Sequence, residues 1–202
     1  MRQRPGRKPP ESLTEFGAVT GEPRPDLCQS GASSQRHPGQ SGMNTRWKPS
    51  VTVAAIIERD GKFMLIEEHT PEGLKLNNPA GHLDPGESLP DGCAREALEE
   101  TTHAFKPTAL VGIYMSRMQR PSTGEDVTYL RFAFCGELGA VVLGATLDHG
   151  IERTLWMTPQ EVRDSQARHR SPLLLRCMED YLAGQRLPLS MLHVDPSVLL
   201  RT

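Results

Sequence analysis

Residues 81–100 read GHLDPGESLPDGCAREALEE, and this stretch decides the fold and the chemistry expected of the chain. Ser88 is a favourable helix N-cap, and Pro90 would fall in the first turn, where a backbone N–H has no helical partner to lose. No further proline interrupts the chain before Pro107. We therefore predict a helix over residues 88–100.

The predicted helix carries three acidic residues on one face. Glu96, Glu99 and Glu100 are separated by three and four positions, so their side chains project from neighbouring turns. No lysine or arginine follows in the next turn to offset their mutual repulsion. Carboxylate oxygens are hard ligands that favour Mg²⁺, with Mn²⁺ as the alternative, and these cations accompany phosphate substrates. A solvated acidic face is the competing interpretation of the helix taken alone.

Three neighbouring residues fit the metal interpretation. Arg95 can hold Glu87 or an adjacent carboxylate through a bidentate pair, which would fix the acidic face. Gly81 permits close approach of the backbone, so its carbonyl oxygen is a candidate metal ligand.

The rest of the chain predicts alternating strands and helices, and hence an α/β fold. Predicted strands cover residues 51–57, 62–67, 110–118, 127–138 and 154–157, and predicted helices cover residues 158–163 and 171–184. The Asp60-Gly61 pair predicts a tight hairpin turn between the first two strands. Residues 74–83 are expected to be irregular and extended.

Residues 1–42 differ in composition from the rest of the chain. They contain six prolines, six glycines and few large apolar residues. Such a segment cannot bury enough surface to offset the entropy lost on ordering. We predict a disordered N-terminal extension followed by one domain over residues 43–202, and Met43 is an alternative start for the working protein.

Charge and cysteine usage exclude several classes of protein. The 202 residues carry a net charge of −2, which does not favour binding to nucleic acid. No apolar run is long enough to span a bilayer, and the first thirty residues lack the apolar core of a secretory signal. The four cysteines form no C-x-x-C pair, so we expect free thiols in a reducing, cytoplasmic protein.

The spacing over residues 81–100 resembles the box of the Nudix hydrolase family, G-x5-E-x7-R-E-U-x-E-E-x-G-U, in which U is a bulky aliphatic residue. The matching residues are Gly81, Glu87, Arg95, Glu96, Glu99 and Glu100. The chain departs from the box at Ala97, Thr102 and His103, and Thr102 replaces the late glycine. A left-handed cap would strain a β-branched residue by about 1 kcal/mol, so we expect the end of the helix to be rebuilt.

The resemblance implies an α/β/α sandwich with a mixed β-sheet, in which the box forms a loop–helix–loop. It also implies metal-dependent hydrolysis of a small diphosphate compound. The metal ligands implied are Gly81, Glu96, Glu99 and Glu100, with Glu87 and Arg95 as orienting residues. Glu99 or Glu100 would act as the catalytic base. Some members place the base in another loop, for which Glu125 and Asp126 are candidates here, although a polar turn is the simpler interpretation of that pair.

A narrower resemblance, over most of residues 47–195, is to the NudJ branch of the family. That branch is associated with hydrolysis of thiamine pyrophosphate, hydroxymethylpyrimidine pyrophosphate and nucleoside di- and triphosphates. Arg131, Asn78 and His82 are the candidate substrate-binding residues. The alternatives are a non-catalytic ligand-binding domain and a pyrophosphatase for nucleotide sugars or dinucleotides. Both a monomer and a homodimer are compatible with the sequence.

Overall fold

The computed structural model describes residues 46–120 and 124–199, and the elements below lie within those ranges. The strands are β1 (Ser50–Arg59), β2 (Lys62–Thr70), β3 (Gly73–Asn77), β4 (Ala80–His82), β5 (His103–Arg120), β6 (Glu125–Val141), β7 (Ile151–Met157) and β8 (Leu187–Pro188). The α-helices are α1 (Leu89–Thr101), α2 (Pro159–Asp164) and α3 (Leu173–Leu182). Short 3₁₀ turns span Gln166–Arg168, Leu189–Met191 and Pro196–Leu199.

The first strand contributes to two separate apolar cores. Val53, Ala55 and Ile57 pack in the core that contains the inner face of α1. The intervening Ala54 and Ile56 pack in a second core, with residues of α2 and α3. Because side chains alternate across a strand, this pattern places helices against both faces of the sheet. The predicted α/β/α sandwich is confirmed.

The sheet is mixed, with strand order β3-β2-β1-β6-β5-β8, and with β4 beside β1 and β7 beside β2. Strands β1 and β6 run parallel, and Thr52 of β1 lies opposite Arg131 of β6. Strand β1 pairs with β2 only at residues 57–59, next to the hairpin, and with β4 at residues 52–54. Strands β1 and β2 therefore diverge, and the cavity described below is lined from both of them.

Most predicted elements are present, and the local turn chemistry agrees with the prediction. Asp60 and Gly61 adopt positive φ angles of 53° and 74°, which is the turn geometry of a tight hairpin. Helix α2 begins with a capping box, in which Thr158 and Glu161 satisfy each other's backbone N–H groups.

Residues 74–83 differ from the prediction, because they form β3 and β4. Strand β3 pairs with β2 from Ile66 to Thr70, and β4 pairs with β1. The hydrogen-bond partners come from distant strands, so the local pattern of the segment did not reveal the pairing.

The predicted disordered extension, residues 1–42, lies outside the described residues. From Arg46 onward the described chain forms one compact unit. The predicted domain start at residue 43 therefore stays a prediction. Among the described residues, no helix combines the length and the apolar character needed to cross a bilayer.

The C-terminus of α1 is capped by Thr102 in the left-handed conformation, with φ 62° and ψ 6°. The expectation of a rebuilt helix end is therefore wrong. The Thr102 N–H donates to the Leu98 carbonyl at 2.8 Å, and the Thr102 carbonyl accepts from the Val142 N–H at 2.8 Å. These two bonds hold the cap in a conformation that a β-branched residue adopts only under strain.

We expect Thr102→Gly to raise the free energy of unfolding by about 1 kcal/mol and the melting temperature by about 2–4 °C, because glycine adopts positive φ without strain. Chemical and thermal denaturation would measure both quantities. Ala183→Gly is the matched control, since Ala183 also ends a helix but has φ −70° and should lose stability on substitution. Equal or lower stability of Thr102→Gly would show that the cap is unstrained.

Candidate active site

The start of α1 is fixed by its own sequence. The Ser88 hydroxyl accepts a hydrogen bond from the Asp91 N–H at 3.2 Å, and Pro90 occupies the first turn, as predicted. Cys93 and Ala97 are fully buried in the core that contains this helix. The acidic face of α1 therefore points away from that core, towards β4 and the loop that precedes the helix.

The Arg95 guanidinium joins this loop to the acidic face. Its Nε and Nη2 atoms donate to the two carboxylate oxygens of Glu87 at 2.9 and 2.8 Å. Its Nη1 atom donates to Glu96 Oε1 at 2.8 Å and to Glu99 Oε2 at 2.9 Å. Its Nη2 atom also donates to the His82 carbonyl at 2.9 Å. The hydrogen bonds from Arg95 lower the pKa of Glu87, so this carboxylate stays charged.

The three acids of α1 are not left without partners, which corrects the expectation drawn from their spacing. Arg95 lies one residue before Glu96 and four before Glu99, so it reaches both from within the helix. Glu100 turns to the other side, where its Oε2 accepts from the Ala80 N–H at 2.7 Å.

Burial and repulsion between neighbouring carboxylates disfavour the ionised forms of Glu96 and Glu100. Burial raises the pKa of Glu96 above its ordinary range and raises the pKa of Glu100 to about 8. Asp148, in the loop before β7, adds to the repulsion on both groups. Its N–H donates to the Glu99 carbonyl at 2.9 Å, which fixes the loop beside the helix. A cation at this position would relieve the repulsion.

A cavity of about 350 Å³ opens beside Glu100. Its polar lining includes Thr52, Glu68, Asn77, Gly81, His82, Glu100, Arg131, Asp148, His149 and Arg170. The register explains much of this grouping, because Thr52 lies opposite both His82 and Arg131 in neighbouring strands. Met118 and Tyr129 add an apolar side, and the His82 ring lies 6.3 Å from the ring of Tyr129.

Arg131 is a buried cation in this cavity, with only 8% of the residue exposed. Its Nε and Nη1 atoms have no hydrogen-bond partner within the described chain. The Cys177 thiol lies beside it, but burial raises the pKa of that thiol to about 11, so it is no counter-ion. A buried guanidinium with free donors attracts an anionic ligand.

The structure brings together most of the predicted site residues, but not Asn78. Gly81, His82, Glu100 and Arg131 line the cavity, and Arg95 ties the remaining acids of α1 to the loop beside them. Asn78, predicted to bind substrate, is buried and does not line the cavity. The preceding residue, Asn77, lines the cavity instead. Pairing in register with Ile66 puts Asn77 on the cavity side of β3.

Glu125 and Asp126, the alternative positions for a base, lie at the far end of the β5–β6 hairpin. They form ion pairs with Arg120 and Arg117, respectively, and neither lines the cavity. Their position agrees with a polar strand end.

Besides Asn77, sequence reasoning missed several cavity residues, among them Glu68, Asp148 and Arg170. Glu68 lies at the end of the apolar run of β2 and is buried. An acidic residue at the end of such a run could have been recognised from the sequence as a candidate site residue. Asp148 gave no such signal, because it lies in a loop far from the acidic helix in sequence. Arg170 reaches the cavity because its backbone N–H donates to the Leu76 carbonyl at 2.9 Å.

The comparisons with known proteins agree with this geometry. The model of the NUDIX domain matches residues 46–177. The chain belongs to the Nudix family. It is therefore a hydrolase of phosphoanhydride bonds, and residues 81–103 correspond to its Nudix box, with departures at Ala97, Thr102 and His103.

Alignments with individual relatives cover most of this Nudix hydrolase. The chain is 34% identical to phosphatase NudJ of Escherichia coli K12 over 146 residues, which cover 72% of this chain and 92% of that protein. A solved Nudix hydrolase from Nitrosomonas europaea is 50% identical, with a TM-score of 0.66, and the match covers 73% and 98% of the two chains. A MutT protein from Methanosarcina mazei, 23% identical with a TM-score of 0.52 over 69% and 98%, shares the fold.

Nudix hydrolases generally use divalent metals, and the donor chemistry of this box fits such a cation. A Cβ atom added at Gly81 would clash with the Glu96 carboxylate where it now lies, so glycine at this position lets that carboxylate pack directly against β4. The acids are nevertheless turned to Arg95 and the Ala80 N–H. As a result, within the described ranges no three acidic, histidine or cysteine side chains converge closely enough to hold a metal ion. The oxygen donors are present, but their side chains must rotate to bind.

The raised pKa of Glu100 predicts a pH-dependent stability in the absence of metal. Between the ordinary carboxyl pKa of 4.5 and about 8, the folded protein retains a proton that the unfolded chain has lost. The free energy of unfolding should therefore fall as pH rises through this window, by up to about 1.4 kcal/mol per pH unit for one group.

Urea denaturation in EDTA between pH 5 and 9 would measure this slope. Glu100→Gln should give a shallower decline and greater stability than the wild type at pH 8. Glu137→Gln, at an exposed acid of β6, is the control and should keep the wild-type slope. An unchanged slope in Glu100→Gln would contradict the assignment.

Proposed function

We propose that this Nudix hydrolase is a Mg²⁺-dependent phosphatase of small organic diphosphates, acting at the cavity beside α1. One observation carries the proposal. Glu100 of the Nudix box and the buried guanidinium of Arg131, whose Nε and Nη1 atoms have no partner among the described residues, line the same cavity, so a cation-binding and an anion-binding group face one ligand. A diphosphate bound to Mg²⁺ has this combination of charges.

The proposed metal ligands are the Gly81 carbonyl and the carboxylates of Glu96, Glu99 and Glu100. When bound, the cation would neutralise phosphate charge and lower the pKa of an attacking water. Glu87 would keep Arg95 in place through its bidentate pair, while Arg95 releases Glu96 and Glu99 to the cation. This exchange explains how side chains that do not form a metal site without the ion could do so with it.

The remaining roles follow from position in the cavity. Arg131 would bind a non-bridging phosphate oxygen, because it offers two free donors. His82 would contact the same phosphates from β4. Glu99 or Glu100 would take the proton of the attacking water.

The substrate class is proposed from the likeness to phosphatase NudJ. Thiamine pyrophosphate, hydroxymethylpyrimidine pyrophosphate and nucleoside di- and triphosphates are the first candidates. The cavity of about 350 Å³ is within the usual size range of small-molecule sites, which agrees with ligands of this class. We also propose that the catalytic domain spans residues 43–202.

Phosphate release from these compounds, measured with and without Mg²⁺, tests the proposal. We expect turnover that requires the metal, and a loss on the order of 100-fold or more in kcat for Glu99→Gln, because this change removes a charged ligand. Glu152→Gln, at an exposed acid of β7, should retain wild-type turnover.

Two outcomes would contradict the proposal. Preference for a dinucleoside polyphosphate or a nucleotide sugar would overturn the substrate class. Binding of diphosphates without hydrolysis, equal in the wild type and Glu99→Gln, would favour a non-catalytic ligand-binding domain.

A further inference from the structure

The inner wall of the cavity contains polar atoms that the described chain leaves without partners. They are Thr52 Oγ1, Glu68 Oε1, Asn77 Oδ1 and the Nε and Nη1 atoms of Arg131. Every one of these residues is at least nine-tenths buried. Buried polar groups are almost always paired in folded proteins, so this concentration in one cavity indicates a ligand-binding surface.

Glu68 is the acidic member of this set, and its position is fixed. Its Oε2 atom accepts a hydrogen bond from Arg170 Nη1, which holds the side chain in one orientation. The backbone of Arg170 is itself tied to Leu76 of β3. Only 7% of the side chain is exposed. The other oxygen, Oε1, is fully buried and has no hydrogen-bond partner among the described residues.

The strand register places a second group beside Glu68. Glu68 lies opposite Lys75, and Asn77 is two residues further along β3, so both side chains lie on the same face as diagonal neighbours. A carboxylate only accepts hydrogen bonds, and the unpaired atom of Asn77 is its amide oxygen. The free atoms at this end of the cavity, Glu68 Oε1 and Asn77 Oδ1, can therefore pair only with N–H or O–H donors of a ligand, while the Arg170 guanidinium at the same end is bound to Glu68 Oε2.

Arg131 imposes the opposite requirement on the other side of the cavity, because a guanidinium only donates. In the sheet, Thr52 of β1 lies opposite both Arg131 of β6 and His82 of β4, the residue next to Gly81 of the box. The donor side of the cavity is thus the side of the Nudix box. A diphosphate substrate would bind with its phosphates towards Arg131 and its organic group towards Glu68.

We propose, on the basis of the function proposed above, that Glu68 is a specificity-determining residue. It selects diphosphates whose organic group is a nitrogen heterocycle bearing an exocyclic amino group. The amino N–H donates to Glu68 Oε1 and the neighbouring Asn77 oxygen. A carbonyl in place of the amino group would set an oxygen against the buried Glu68 Oε1 atom and leave that atom without a hydrogen-bond donor, which is a strong basis for rejection.

Binding of a matched amino and oxo pair tests this inference. We would use the α,β-methylene analogues of cytidine and uridine diphosphate, which resist hydrolysis between the two phosphorus atoms and differ chiefly at the amino or oxo group of the base. With Mg²⁺ present, isothermal titration calorimetry should show the cytidine analogue binding at least about 10-fold more tightly to the wild type. In Glu68→Gln, whose amide can both donate and accept, the ratio should fall to within about 3-fold.

Glu67→Gln is the matched control. Glu67 is the adjacent residue of β2, has 4% of its side chain exposed, and pairs with Arg153 and Arg168 outside the cavity lining. This variant should keep the wild-type ratio. Thermal denaturation would establish that Glu68→Gln is folded, and should it not fold, the wild-type ratio alone decides the inference.

The outcomes separate this inference from the proposed function. Equal affinity of the wild type for the two analogues, or a preference that survives in Glu68→Gln, would overturn the role of Glu68. Binding of neither analogue by a protein that hydrolyses another diphosphate would overturn it too, and would leave the phosphatase standing. Absence of both binding and hydrolysis across all diphosphates tried would overturn the function itself.

Discussion

The Arg95 guanidinium holds three carboxylates and one backbone carbonyl, and the geometry of the Nudix box depends on this interaction. Without it, the loop containing Glu87 would have no bidentate link to α1. The acids at positions 96 and 99 would also repel one another on adjacent turns. A single guanidinium on the helix therefore stabilises the acidic face in this structure.

The surrounding fold makes this arrangement possible at the edge of a ligand cavity. Strand β1 diverges from β2, which opens the sheet. The short strand β4 pairs with β1 and places Gly81 next to the acidic helix. The same divergence exposes buried polar groups of β1, β2 and β6 to a common space. Arg131 lies in that space with Glu100 of the Nudix box, and the free acceptor atoms of Glu68 and Asn77 lie on β2 and β3.

The sequence predicts the box helix and its capping residue well, because these depend on local spacing, whereas the sandwich was expected from the resemblance to the Nudix family. Spacing alone did not show that Arg95 would form hydrogen bonds to both Glu96 and Glu99. The rotamers of these side chains depend on the loop that packs against them. The left-handed Thr102 was unexpected, because its compensation comes from a distant Val142 N–H. Asn77 rather than Asn78 reaches the cavity for a similar reason, as strand register depends on partners remote in sequence.

The most direct test of this account is a crystal structure with Mn²⁺ and a non-hydrolysable diphosphate, in which anomalous scattering locates the metal. We expect the ion between the Gly81 carbonyl and the carboxylates of α1, with Arg95 still bound to Glu87 but released from Glu96 and Glu99. A metal bound elsewhere, or Arg95 retaining both of those acids beside a bound diphosphate, would contradict the central claim.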